Sequence, residues 1–289
     1  MTVYAPYISS YTTRTPYITA AEFQASPTGI NVSQLVPRGT QEQNIDALNV
    51  AISRASSYID MFCKQTLAAT TDTQSGRFRI QRAGYLRIPV PFSPIIAVNS
   101  VKVGFSPSSL TTMPNLSDLW IDRKVVTFPI QTVQLNVGYS SLYSDGRAYV
   151  VLEYVNGWAN TLLANAVSAG SSTITVDSSL GIQPGVQLTI YDPAHTEVVV
   201  VASVSGNVLT LASPVDYAHE AGFNVSALPA AVKQAAVMLT AALIKTRGSE
   251  AIVMSQLRQQ ASSVVPIEDG GFQDVAIAKE LLLPFVRTQ

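Results

Sequence analysis

Basic residues are missing from a long central stretch of this 289-residue chain. Between Arg147 and Lys233 there is no Lys or Arg, whereas Glu153, Asp177, Asp192, Glu197, Asp216 and Glu220 all fall there. Charge is scarce throughout, at 13% of residues against roughly 25% in ordinary soluble domains. A formal charge of −1 excludes a generally basic nucleic-acid binder and an acidic disordered tail. A compact body of 30.9 kDa would expose about 12,000 Å², so its charges are thinly spread. Either Ser, Thr, Asn and Gln keep such a surface wet, or other subunits cover much of it. A single cysteine, Cys63, excludes an internal disulfide framework and suits a reducing compartment. No apolar run approaches the roughly 18 residues of a membrane helix. The start, Met1-Thr2-Val3-Tyr4-Ala5-Pro6, has neither basic nor hydrophobic character, so no signal peptide is expected.

Catalytic patterns are also missing. There is no G-x-G-x-x-G, no P-loop and no G-x-S-x-G. His219-Glu220 begins like a zinc-protease helix, but Phe223 stands where the second histidine would be. His195 and His219 are the only histidines, and with Asp192 they are the one conceivable metal set. The plainer expectation is turn histidines that hydrogen-bond locally. Cys63 closes an apolar stripe beside Phe62 and has no basic partner in sequence, so it reads as a small buried hydrophobe rather than a nucleophile. No enzyme activity, cofactor or metal is expected.

What is present divides the chain by pattern, and its length suggests about two domains. Residues 1–16, rich in Tyr, Thr and Pro, read as an extended arm. Thr19 to Glu22 has capping-box spacing, with Ile18 and Phe23 as a hydrophobic staple, ahead of a short helix. Thr40 and Gln43 open a longer helix to about Lys64, whose Ile45, Leu48, Ile52, Ala55, Ile59 and Phe62 form one stripe. Strands are expected from near Thr70: Arg77–Arg82 and Tyr85–Ile88 as a hairpin about Ala83-Gly84, then Ile95–Val103, Leu119–Phe128, Thr132–Val137 and Ala148–Val155. Residues 160–227 read as a separate all-β module of five short strands punctuated by Gly, Pro and Asp. Helix returns after Leu228-Pro229 and runs to Arg247-Gly248. A weaker helix is expected at about Glu250–Ser262 and a last one at about Phe272–Leu283.

One charge cluster stands out. Arg77, Arg79, Arg82 and Arg87 lie in a stretch with no acidic residue between Asp72 and Asp118, and in a strand Arg77 and Arg79 share a face. Such a cluster is either a solvated hairpin face or, multiplied by several copies, a salt-dependent phosphate contact.

The order of several motifs resembles the head-to-tail connector (adaptor) proteins of tailed bacteriophages. The segments are Tyr17-Ile18-Thr19, a long helix ending near Cys63, Leu86-Arg87-Ile88-Pro89, Ser93–Val101, Glu153-Tyr154-Val155-Asn156-Gly157-Trp158 and Leu228–Ala235. The resemblance covers about 17–158 and 228–289. It departs at 160–227, which is similar to small β modules of phage structural proteins at 206–211 and 217–222. The resemblance implies an α+β fold: a helical connector core with a β-sheet region, 17–158 and 228–289, plus the inserted module. It implies a virion protein at the head–tail interface, assembled in the host cytoplasm as a ring, a dodecamer in the family. The ring lies beneath the portal and prolongs the DNA channel, with the portal, the next tail protein and channel DNA as partners and no membrane.

By the same resemblance, Leu281, Leu282, Leu283, Phe285, Val286 and Arg287 are expected to contact the portal. Arg77, Arg79, Arg82 and Arg87 are expected to face the DNA channel. The arm residues Tyr4, Tyr7 and Tyr11 are expected to touch a neighbour or the next ring. Competing readings are a tail-side terminator or completion protein and a surface glycan-binding β protein.

Overall fold

A computed structural model describes residues 14–81, 84–132, 146–246 and 270–287. The arm residues Tyr4, Tyr7 and Tyr11, Arg82, most of the expected strand Thr132–Val137 and the expected helix at Glu250–Ser262 lie outside the described residues.

Helix α1 (Ala20–Ala25) begins with the expected capping box: Glu22 N–H donates to Thr19 Oγ1, and the Glu22 carboxylate receives the Thr19 N–H. Helix α2 (Gln41–Cys63) starts with the same device at Thr40 and Gln43 and ends where Lys64 turns left-handed. Its stripe is buried at Leu48, Ile52, Ala55 and Ile59, while Ile45 and Phe62 are half-covered. Helices α3 (Ala230–Lys245) and α4 (Gly270–Leu282) pack against each other and α2. Tyr17, Phe23, Leu48, Ile52, Leu239, Ala278 and Leu282 close this first core.

The remainder is sheet. The first sheet runs in the order β1 (Thr70–Arg79), β7 (Arg147–Asn156), β3 (Ile95–Gly104), β4 (Leu110–Thr112). A second has the order β2 (Tyr85–Pro89), β6 (Val125–Pro129), β5 (Trp120–Asp122). Their inner faces meet in a second core, Leu86, Ile88, Val126 and Phe128 against Val101, Val103, Val150 and Leu152. The segment 160–227 forms a six-stranded sheet with its own core, ordered β8 (Asn160–Leu162), β13 (Asn224–Ser226), β10 (Gln187–Tyr191), β11 (Glu197–Ser205), β12 (Val208–Leu211), β9 (Thr173–Thr175). All these pairings are antiparallel. The chain enters and leaves this module through β8 and β13, which pair directly, and Ala227 N–H donates to Ala159 O at 2.9 Å.

The architecture corrects the expected α+β fold with a helical connector core. The protein is mostly β, with thirteen strands in three antiparallel sheets among the described residues, and its helices are confined to one of three cores. The physical reason lies in β1. It pairs with β7 along its whole length, from Thr70↔Asn156 to Arg79↔Arg147, rather than serving as one arm of a local hairpin. Of the expected hairpin, the described residues keep the Ile80↔Leu86 bridge and two backbone bonds, Gln81 N–H to Tyr85 O and Gly84 N–H to Gln81 O. The expected strand Leu119–Phe128 is two strands, β5 and β6, folded back at Arg123-Lys124.

Candidate functional site

Strand alternation places Arg77 and Arg79 on the outer face of the first sheet, while Phe78 between them packs against the second core. Register then brings in residues that sequence spacing did not join. Arg79 stands opposite Arg147, Arg77 opposite Tyr149, and Lys102 is paired with Val151 one row further on. The basic end of this face is therefore Arg77, Arg79, Arg147 and Lys102. Its acidic member, Glu153, accepts a hydrogen bond from Ser100 Oγ at 3.4 Å. The signal for Arg147 was available: it shares odd-number parity with the outward residues of β7. Directly opposed like charges disfavour pairing unless something screens them, so this row is a place where a polyanion would be welcome.

Arg87 lies elsewhere. It is exposed on the outer face of the second sheet, opposite Thr127, whose other neighbour is Trp120. Trp120 is 61% exposed and stacks on Tyr85 with centroids 5.3 Å apart. The structure thus joins Arg77 and Arg79 and separates Arg87 from them.

The C-terminal residues fold back onto the body. Leu282 is fully buried, Leu281 packs against the helical core, and Leu283 is 57% exposed. Phe285 sets its ring edge-on to Trp158 at 5.7 Å, and its carbonyl accepts from Gln65 Nε2 at 2.9 Å. Val286 is half-buried. Arg287 N–H donates to Cys63 O at 2.9 Å, and its guanidinium lies over Phe92. Of the six residues expected to meet the portal, Leu283 alone is highly exposed; the others are wholly or partly engaged within the chain. Removing 281–289 would therefore take part of the core with it.

Beneath this tail, burial followed by the nearby Asp60 charge pushes the Cys63 thiol up to about 12. Native protein at pH 8 is expected to leave Cys63 unlabelled by an aromatic disulfide reagent over hours. The thiol should react within seconds to minutes once denaturant unfolds the chain. Fast labelling of the native chain would mean that the tail does not seal α2.

In the module, His219 lies between two carboxylates. Its Nδ1 is 3.0 Å from Asp192 Oδ2 and its Nε2 is 3.1 Å from Glu197 Oε2. Burial would raise Asp192, but the His219 hydrogen bond and the amides of Ala194 and His195 hold it below the usual carboxylate range. Glu197 also accepts the Asp216 N–H at 2.8 Å, so the cluster ties the 192–197 turn to the 214–222 loop. His195 stacks on Tyr217 with centroids 4.4 Å apart. Among the described residues no group of three or more His, Cys, Asp or Glu is arranged to hold a metal.

A residue that sequence reading passed over links module and frame. Lys233, on α3, donates to Glu22 Oε2 of α1 at 2.6 Å and to Asn224 Oδ1 of β13 at 2.8 Å, and lies 3.5 Å above the Tyr191 ring of β10. Burial pulls its ammonium down to about 8, against the opposing pull of Glu22. A lone lysine on an apolar helix face was its only trace in the sequence.

No family model matches the chain, and no curated protein matches it either. Among solved structures, 90% of the chain aligns with 92% of a chain described as the neck of an empty GTA particle computed with C6 symmetry. The identity is 12% and the TM-score 0.35. The similarity is to a neck component and runs the length of both chains, but a score of that size does not establish a common fold.

Proposed function

We propose that this chain is a structural neck protein that assembles as a ring beneath a portal, joins capsid to tail and lines part of the DNA path. The observation that supports this is where the connector-like motifs lie. Tyr17-Ile18, the end of α2 at Cys63, Trp158 and Leu228 to Ala235 come from distant parts of the sequence yet meet in the helical core, while Leu86, Ile88, Val101 and Tyr154 of the other motifs meet in the second core. Residues 160–227 have a separate core, so the insertion leaves that frame whole. In this reading the row of Arg77, Arg79 and Arg147, repeated around a ring, faces the channel. Leu283, the exposed apolar residue of the tail, is the portal-side contact.

Electron microscopy of the purified protein, alone and mixed with portal rings or tail-tube rings, tests the assignment. Annular particles that cap the portal are expected. Annuli that join only tail tubes would move the protein to the tail side, and persistent monomers in every mixture would overturn the reading. Leu283→Asp should abolish portal capping while Cys63 stays protected from the thiol reagent.

The arginine face has its own expected result. R77S/R79S rings should assemble normally yet bind a short DNA duplex more weakly. The slope of log K against log salt should become shallower by about 2 per pair of lost phosphate contacts. An unchanged slope, read by fluorescence anisotropy, would return these arginines to a solvated face.

A further inference from the structure

Two stacked aromatic pairs stand open on the surface, one on the second sheet and one on the module. On the sheet, Arg87, Thr127 and Trp120 are laterally paired across β2, β6 and β5, so they project to the same side. Tyr85, two residues before Arg87, shares that side and stacks on Trp120, which is 61% exposed. Arg87 is exposed, as are Arg123 and Lys124 at the β5–β6 turn, and none of the three has an ion pair among the described residues. The nearby acids are Asp118 and Asp122, and Asp122 Oδ1 already accepts the Arg123 N–H at 2.7 Å. The result is an aromatic platform with a basic margin, its Trp120 and Arg87 two strand spacings, about 10 Å, apart.

The module carries the complementary surface. Tyr217 is 45% exposed and lies flat on His195, with ring planes 3° apart. Asp216 and Glu220 beside it are exposed, and neither carboxylate has an ion pair among the described residues. The module has no cation of its own to offer them, since 160–227 contains no Lys or Arg. Buried His219, held between Asp192 and Glu197, fixes the 192–197 turn against the 214–222 loop, so the patch is preformed. Tyr217 and Glu220 are three residues apart and span at most about 11 Å, which matches the distance from Trp120 to Arg87. Both surfaces are open in one folded chain, so neither covers the other within it. We infer that they cover each other between copies: the Tyr217–His195 patch of one chain seats on the Tyr85–Trp120 platform of the next, with Glu220 against Arg87. Trp, Tyr and Arg are the residues on which interface energy concentrates, while opposite charges at the margin set register and speed encounter. A contact between two different faces is head-to-tail, which closes into a ring when the rotation allows and runs on as a filament when it does not. The inference rests on the ring assignment and names the lateral contact that builds it.

Complementary damage to the full chain tests it. R87S/W120S removes the platform and leaves the module whole, and Y217S/E220Q does the reverse. All four positions are exposed, and continued protection of Cys63 from the thiol reagent reports that each variant is folded. By mass photometry the wild type should assemble, while each variant alone stays monomeric at ten times the concentration that half-assembles the wild type. Mixed one to one, the two variants should form a dimer and nothing larger, because a single intact contact remains between them. If wild-type annuli form and either variant assembles equally well, or the mixed variants stay monomeric, the inference is overturned and the ring assignment stands. Wild-type filaments, with dimers from the mixed variants, would keep this contact and remove the ring. A wild type that is monomeric at every concentration would remove both and leave the two faces to a partner of another kind.

Discussion

Replacing Lys233 with methionine is expected to cost the folded chain about 3 kcal/mol, the range found when one partner of a buried ion pair is removed. Glu22, with a side chain only 10% exposed, would lose its cation, and Asn224 Oδ1 would lose its donor. Adding Glu22→Gln should recover a good part of the loss, because the stranded charge then goes. Urea unfolding of the two variants checks both statements, and equal stability of K233M and wild type would dismiss the link. The pH dependence has a definite sign. The Lys233 pKa is depressed to about 8 in the folded chain and is near 10.5 when unfolded. Between those values the unfolded chain binds the extra proton, so this residue's contribution to stability rises with pH. Wild type should therefore gain on K233M as pH climbs from about 8 towards 10, by about 1.4 kcal/mol per pH unit at most. Below pH 8 the difference should be flat.

Gly157→Ala is expected to be more damaging still, by about 4 kcal/mol or to the point of insolubility. Gly157 has φ +95°, and an added Cβ would stand 2.7 Å from the carbonyl oxygens of both Leu67 and Ala68. Neither can yield, because Trp158 N–H donates to Leu67 O at 2.9 Å and Ala69 N–H to Trp158 O at 2.7 Å. Gly170→Ala is the matched comparison. It too has positive φ, at +82°, but nothing lies within 4 Å of the new Cβ. Its cost should stay near the roughly 1–2 kcal/mol of a left-handed alanine. If the two variants unfold at the same denaturant concentration, the close approach at Gly157 has no energetic weight.

Gly157 also shows why the connector-like motif was legible while its meaning was not. Asn156-Gly157-Trp158 closes one of the connector-like segments and follows the expected strand Ala148–Val155. In the folded chain Asn156 Nδ2 donates to Asp72 Oδ2 at 2.7 Å, Gly157 admits the 67–68 backbone, and Trp158 meets Phe285. Each partner is at least 84 residues away or belongs to a segment without periodicity, so spacing alone could not find it. Local signals fared best. Both capping boxes formed, and β10 and β12 are among the short strands expected between the module's Gly, Pro and Asp turns, because capping and turn residues are properties of the segment itself. β8 was missed: the sequence reading gave the module five strands and the structure has six.

The fold class went astray by weight rather than by element. Helical stripes such as Leu48 to Ile59 announce themselves in sequence, whereas a sheet declares its size only when distant strands pair, as β1 does with β7. The grouping of the arginines shows the same effect. Arg77 and Arg79 were seen because they are two apart, but Arg147 reaches their row only through that pairing, and Arg87 sits on another sheet.

The direct pairing of β8 with β13 has a consequence for how such chains diversify. Because the two crossings between frame and insert are hydrogen-bonded neighbours, the insert behaves like a cassette in a socket: its excision leaves a gap that a tight turn can bridge. An unrelated domain whose own termini lie side by side could be spliced there without re-threading the host. Lys233, which bonds Asn224 of the insert, and Ala69 and Ile96, which stand against Gly181, would then mark places where the host must be re-lined for each new occupant.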